Sequence, residues 1–80
     1  MNVKSIRDKL NTSIGELTEI KNLIVSTRKY AEESIRVNEM TALLLAFSSL
    51  SDEEIERQVI EIDRIHEAVN NYAEFMRSCF

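Results

Sequence analysis

The 80-residue chain contains no proline and one glycine, Gly15. These are the two strongest helix breakers, and a β protein of this size needs turn residues every 8–12 positions or so. Their scarcity excludes an all-β fold and predicts an all-α one. Cysteine is limited to Cys79, so no disulfide can form within the chain. The residue reads as a small apolar side chain in a reducing compartment. The longest apolar run is Leu43-Leu44-Leu45-Ala46-Phe47, far short of the roughly 18 residues of a membrane span. The opening Met1-Asn2-Val3-Lys4-Ser5 lacks the apolar core of a signal peptide. A cytoplasmic protein without membrane contact is the expectation. A single glycine also rules out a glycine-rich phosphate loop.

What is present is apolar and patterned. Hydrophobic residues make up 44% of the chain, enough for a core, but 80 residues is a marginal length for a lone domain. Folding would leave a surface of about 5,000 Å². The net charge is −4, and it is unevenly divided. Residues 1–40 carry seven basic and six acidic side chains, whereas residues 41–80 carry three and eight. Halves of opposite sign suit antiparallel packing, within one chain or between two.

The last third is the most legible. Ile55, Gln58, Ile62, Ile65, Val69, Tyr72, Met76 and Cys79 alternate at spacings of three and four, with Val59, His66, Ala73 and Phe80 on the adjacent row. This pattern predicts an amphipathic helix over about 52–78. Ser51 is its expected N-cap and Glu54 the partner in a capping box, with Leu50 stapling onto Ile55. Asp52, Glu53 and Glu54 place negative charge where the helix dipole favours it, which accounts for this acidic cluster without catalysis.

The first half carries the stripe Val3, Ile6, Leu10, Ile14, Leu17, Ile20 and Ile24, fading through Thr27 and Ala31 to Ile35. It predicts a helix over about 3–36. From Leu23 the apolar side rotates onto the sevenfold line Leu23, Tyr30, Val37 and Leu44. The break is expected at 36–39, with Asn38 as the cap of a helix over about 39–49. A break near Ser26-Thr27 is the alternative. Residues Met40 to Phe47 are apolar on nearly every side, and such a helix must be surrounded. Tyr30, Val37, Met40, Leu43, Leu44 and Phe47 are therefore the expected interface. The expected fold is a single helical domain over 1–80. It is an elongated hairpin or three-helix arrangement, completed as a bundle by self-association, with a dimer favoured, or by a protein partner.

Chemistry-bearing residues are sparse. Asp63 and His66 have the i, i+3 spacing of helical-bundle metal sites. Asp63 points to the polar face, however, and the N-terminal stripe offers no inward carboxylate. His66 reads as a partly buried packing residue. The segment Ser5-Ile6-Arg7-Asp8-Lys9-Leu10 resembles, over six residues, the first helix of small all-helical chorismate mutases. That family points several Arg and Lys side chains into a polar interior. Lys21, Arg28, Lys29 and Arg36 do not continue its spacing, and the seam here is rich in Ile and Leu. No enzyme, cofactor or metal is expected. Lys4, Arg7 and Lys9 with the four later basic residues could form a nucleic-acid face, but acidic residues are interspersed among them. The leading expectation is a protein-interaction protein (adaptor, scaffold subunit, chaperone or inhibitor) acting by helix burial. A helical nucleic-acid-binding regulator is the alternative.

Overall fold

A computed structural model describes residues 2–80. Four helices follow one another: α1 (Val3–Thr27), α2 (Glu33–Ser48), α3 (Asp52–Arg57) and α4 (Val59–Cys79). The described residues contain no strand, and the chain is all-α. No described helix is long and apolar enough to cross a membrane.

Helix α1 forms because its apolar residues recur on one face, and it buries Ile6, Leu10, Leu17, Ile20 and Ile24 there. Asn2 caps its start, its side-chain oxygen accepting from the Lys4 N–H at 3.0 Å. Gly15 sits on the exposed side, and a Cβ there would meet nothing within 4 Å. Its glycine therefore serves no close approach.

The expected helix over 3–36 is corrected to two helices. α1 stops at Thr27, and α2 starts at Glu33. Arg28 ends α1 in the left-handed region, its N–H donating to the Ile24 carbonyl at 2.9 Å. Tyr30 is left-handed too, at φ 56°. Each such residue costs roughly 1–2 kcal/mol when it is not glycine. The compensation is burial. Beyond Ile24 the first stripe has no large side chain to bury until Ile35, whereas folding back places Val37 and Leu44 against α1. The break is thus near the Ser26-Thr27 alternative, not at 36–39. Asn38 caps nothing, and instead accepts a hydrogen bond from Lys21 Nζ at 2.8 Å.

The expected helix over 52–78 is also divided. Ser51 is the N-cap, and its hydroxyl accepts from the Glu54 N–H at 3.3 Å, which is one half of the expected capping box; among the described residues no return bond runs from the Ser51 N–H to the Glu54 carboxylate. At Gln58, however, the backbone turns to φ −104°, ψ 14°. Gln58 is the one polar residue of the seam, and a straight helix would press it between Ile55 and Ile62. The turn keeps both isoleucines fully buried and leaves Gln58 exposed.

α1 is the centre of the arrangement, with α2 packed on one side and α4 on the other. The molecule measures 41 × 19 × 15 Å with a radius of gyration of 13.2 Å, against about 12 Å for a compact globule of this length. Its surface is 5278 Å², close to the roughly 5,000 Å² of a folded monomer of this mass. The chain therefore covers most of its stripes unaided, because the first helix is shorter than expected and α2 folds back onto it.

Candidate interaction surface

The six residues expected at an interface do not form one surface. Val37 and Leu44 are 1% and 0% exposed and face α1, so they belong to the chain's own core. That corrects their assignment to an interface. Met40 and Phe47 are half-buried against the same core. Tyr30 lies in the α1–α2 connection, edge-on to Phe80 with ring centroids 5.7 Å apart. Leu43 is 46% exposed.

A surface nevertheless exists near Leu43. Leu43, Ala46, Phe47 and Leu50 line an open apolar depression where α2 runs into the turn before α3. Leu45, 54% exposed, extends the apolar area around the helix. No charged residue occurs from Met40 through Ser51. The serines there are occupied locally: Ser48 and Ser49 hydroxyls donate to the carbonyls of Leu44 and Ala46. Periodicity missed Leu45, Ala46 and Leu50 because a helix apolar on all sides does not declare which side its own chain will cover.

Arg7 holds this corner in place. Its guanidinium donates to the carbonyls of Ser48 and Leu50 at 3.1 and 2.9 Å and to Asp52 Oδ1 at 2.8 Å. It thereby satisfies carbonyls left open where α2 ends. The depression's far wall is thus tied to α1.

Toward α4, which contributes Ile62, Val69, Ala73 and Met76 to the core, α1 also makes polar ties. Lys9 Nζ donates to Asp63 at 2.7 Å, and Arg77 to Glu19 at 3.0 Å. Between them lies a chain of side-chain bonds. Ser13 Oγ sits 2.7 Å from His66 Nδ1. Asn70, its amide nitrogen turned to Glu16, donates to that carboxylate at 2.6 and 3.0 Å. The amide's other end lies 3.3 Å from His66 Nε2. The donors and acceptors then resolve. Nε2–H donates to the Asn70 oxygen, and Nδ1 accepts from the Ser13 hydroxyl. A serine on a histidine is also the geometry of a nucleophile and its base. Ser13 is 0% exposed, however, so no substrate atom can reach its oxygen. What the chain of bonds does is fix the register of α4 on α1.

Asp63 and His66 therefore serve different partners on α1, and among the described residues no group of three or more His, Cys, Asp or Glu could hold a metal. Of the basic residues, Arg7 and Lys9 pair with Asp52 and Asp63, and Arg36 lies 3.7 Å from Glu33. Tyr72 on α4 donates its hydroxyl to Glu33 on α2 at 2.8 Å. Burial, then that hydrogen bond and the Glu33 charge, push its phenol up to about 12.

No family model, curated protein or solved structure matches the chain.

Proposed function

We propose that the chain is a small helical protein-interaction protein (adaptor, scaffold subunit, chaperone or inhibitor) that acts by burying helix faces. The observation that carries the reading is the charge-free end of α2. Leu43, Ala46, Phe47 and Leu50 surround an open apolar depression, with Leu45 exposed beside it. Contiguous exposed apolar area of this kind marks a docking site on a soluble protein. Its shape and chemistry suit the apolar face of an amphipathic helix, presented by a protein partner or by a second copy.

The test uses two exposed residues, so that the fold itself is spared. Leu43→Asp/Leu45→Asp should retain the wild-type circular dichroism spectrum and thermal midpoint. Sedimentation equilibrium should show weaker self-association in the variant, or co-purification from the native source should show loss of a stoichiometric partner. A wild type that is monomeric at all concentrations and captures nothing the variant fails to capture would sink the reading.

A further inference from the structure

The α1–α2 connection sets local preference against the observed backbone. Arg28-Lys29-Tyr30-Ala31-Glu32 contains none of the Gly, Pro, Asn or Asp residues that ease a reversal. All five residue types are tolerated inside a helix. The chain reverses there all the same, with Arg28 and Tyr30 at φ 57° and 56°. For a bulky aromatic such as Tyr30 that conformation is an outlier. A helix continued through the connection would relieve both residues. It would join α1 and α2 into one helix of about 69 Å at 1.5 Å per residue. The sevenfold line Leu23, Tyr30, Val37 and Leu44 already runs through the connection without a break, as such a helix requires.

A second feature is how the helices are tied. Among the described residues, every side-chain hydrogen bond between helices involves α1, except Tyr72 to Glu33. That exception links α2 to α4, so it stays within the unit that α1 would leave. All other ties, and the Ile6–Ile24 stripe, could re-form on the α1 of a second copy; the contact that straightening changes is Tyr30 against Phe80. A third feature lies at the connection end of the molecule. Val25, Tyr30, Ile35, Phe75 and Phe80 are exposed in the helical turns and connection that meet there.

We infer that two copies of this chain exchange α1 by straightening residues 28–32 into helix, giving a domain-swapped dimer. Strained short hinges favour such exchange, because the dimer keeps the monomer's helix-to-helix contacts and sheds the hinge strain. The two four-helix units meet end to end at their connections, where the exposed apolar residues of each end find cover. This goes beyond the proposed function, since it concerns the opposite end of the molecule from Leu43 and Leu45. Leu43→Asp/Leu45→Asp should leave the exchange intact, so failure of one reading leaves the other standing.

The decisive experiment mixes equal amounts of unlabelled and isotopically heavy chains in denaturant and refolds them together at high concentration. The dimer fraction is then treated with a carbodiimide, which joins an amine to a carboxylate in direct contact. Lys9 Nζ and Asp63 Oδ1 are 2.7 Å apart, and both side chains are accessible to the reagent. In the swapped dimer, about half of the Lys9–Asp63 linked peptides pair a light with a heavy chain, as random pairing in a symmetric dimer dictates. Same-isotope peptides only, or no dimer up to millimolar protein, would overturn the inference. A second measurement removes the strain. Arg28→Gly/Tyr30→Gly accommodates positive φ in the closed hinge and should lower the dimer fraction about ten-fold or more. An unchanged or larger dimer fraction, with helix content retained, would also overturn it.

Discussion

The two sides of α1 are held by different physics. Toward α4 the buried Ile62, Val69, Ala73 and Met76 are accompanied by a polar ladder: Lys9 to Asp63, Ser13 to His66, Glu16 to Asn70 and Glu19 to Arg77. Each rung joins fixed positions, so a shift of one turn would break all of them. Toward α2 the contact is mostly greasy. Val37 and Leu44 are buried, and two side-chain bonds cross: Lys21 to Asn38 at one end and Arg7 to the Ser48 carbonyl at the other. Apolar burial is nondirectional. The α4 side is therefore specified in register, whereas the α2 side is specified mainly in which face is covered. A helix held mainly by its covered face can be apolar elsewhere, as α2 is from Met40 onward.

The largest test of this contrast compares neighbours on α2. Leu44→Ala empties a fully buried site and should destabilise the protein by about 2–5 kcal/mol in denaturant unfolding. Leu45→Ala, one residue on, should change stability by no more than about 0.5 kcal/mol. Equal effects would mean that Leu45 is covered in solution, and equilibrium mass measurements would then show by what. On the other side of α1, Ser13→Ala leaves His66 Nδ1 without its donor. The expected loss is about 1–3 kcal/mol, less the few tenths that alanine gains as a helix former. Lys9→Ala, which removes an exposed ion pair, should cost about 1 kcal/mol or less. If Lys9→Ala costs more than Ser13→Ala, the register is set by surface charge and not by the buried rung.

These contrasts were only half legible in the sequence. The stripes of α1 and α4 and the Ser51 start follow from spacing and side-chain chemistry, which act locally. The α1–α2 reversal does not. Arg28 to Glu32 carry no turn signal, and the chain turns there because burying Val37 and Leu44 outweighs two unfavourable backbone conformations. That is a tertiary decision. Ser13 did leave a trace. Ile6, Leu10, Ser13, Leu17, Ile20 and Ile24 are the buried residues of α1, and they alternate at spacings of four and three with Ser13 among them. A lone hydroxyl on a seam requires a partner, and the chain's one histidine lies at the edge of the other stripe. Choosing the apolar Ile14 for the seam hid that pairing. Gln58 is the parallel case between α3 and α4, where a polar seam residue marks a turn.

The smallest effect concerns the one side-chain hydrogen bond between α2 and α4, Tyr72 to Glu33. The folded-state pKa of Tyr72, about 12, lies above the ordinary phenol value of 10.0. The folded protein therefore holds this proton more tightly than the unfolded chain does. Its stabilising contribution is complete below about pH 10 and is lost as pH rises through about 12. Comparison of the wild type with Tyr72→Phe isolates this contribution. The stability difference between them should shrink across that window, in chemical unfolding at fixed ionic strength. Glu33→Gln separates the causes. Burial is the largest contributor, so removing the Glu33 charge should lower the Tyr72 midpoint, followed by phenolate absorbance, without returning it to the ordinary value. A full return would mean that the carboxylate sets the shift. The α2–α4 contact would then be an electrostatic tie of the α4-ladder kind, and the contrast between the two sides of α1 would weaken.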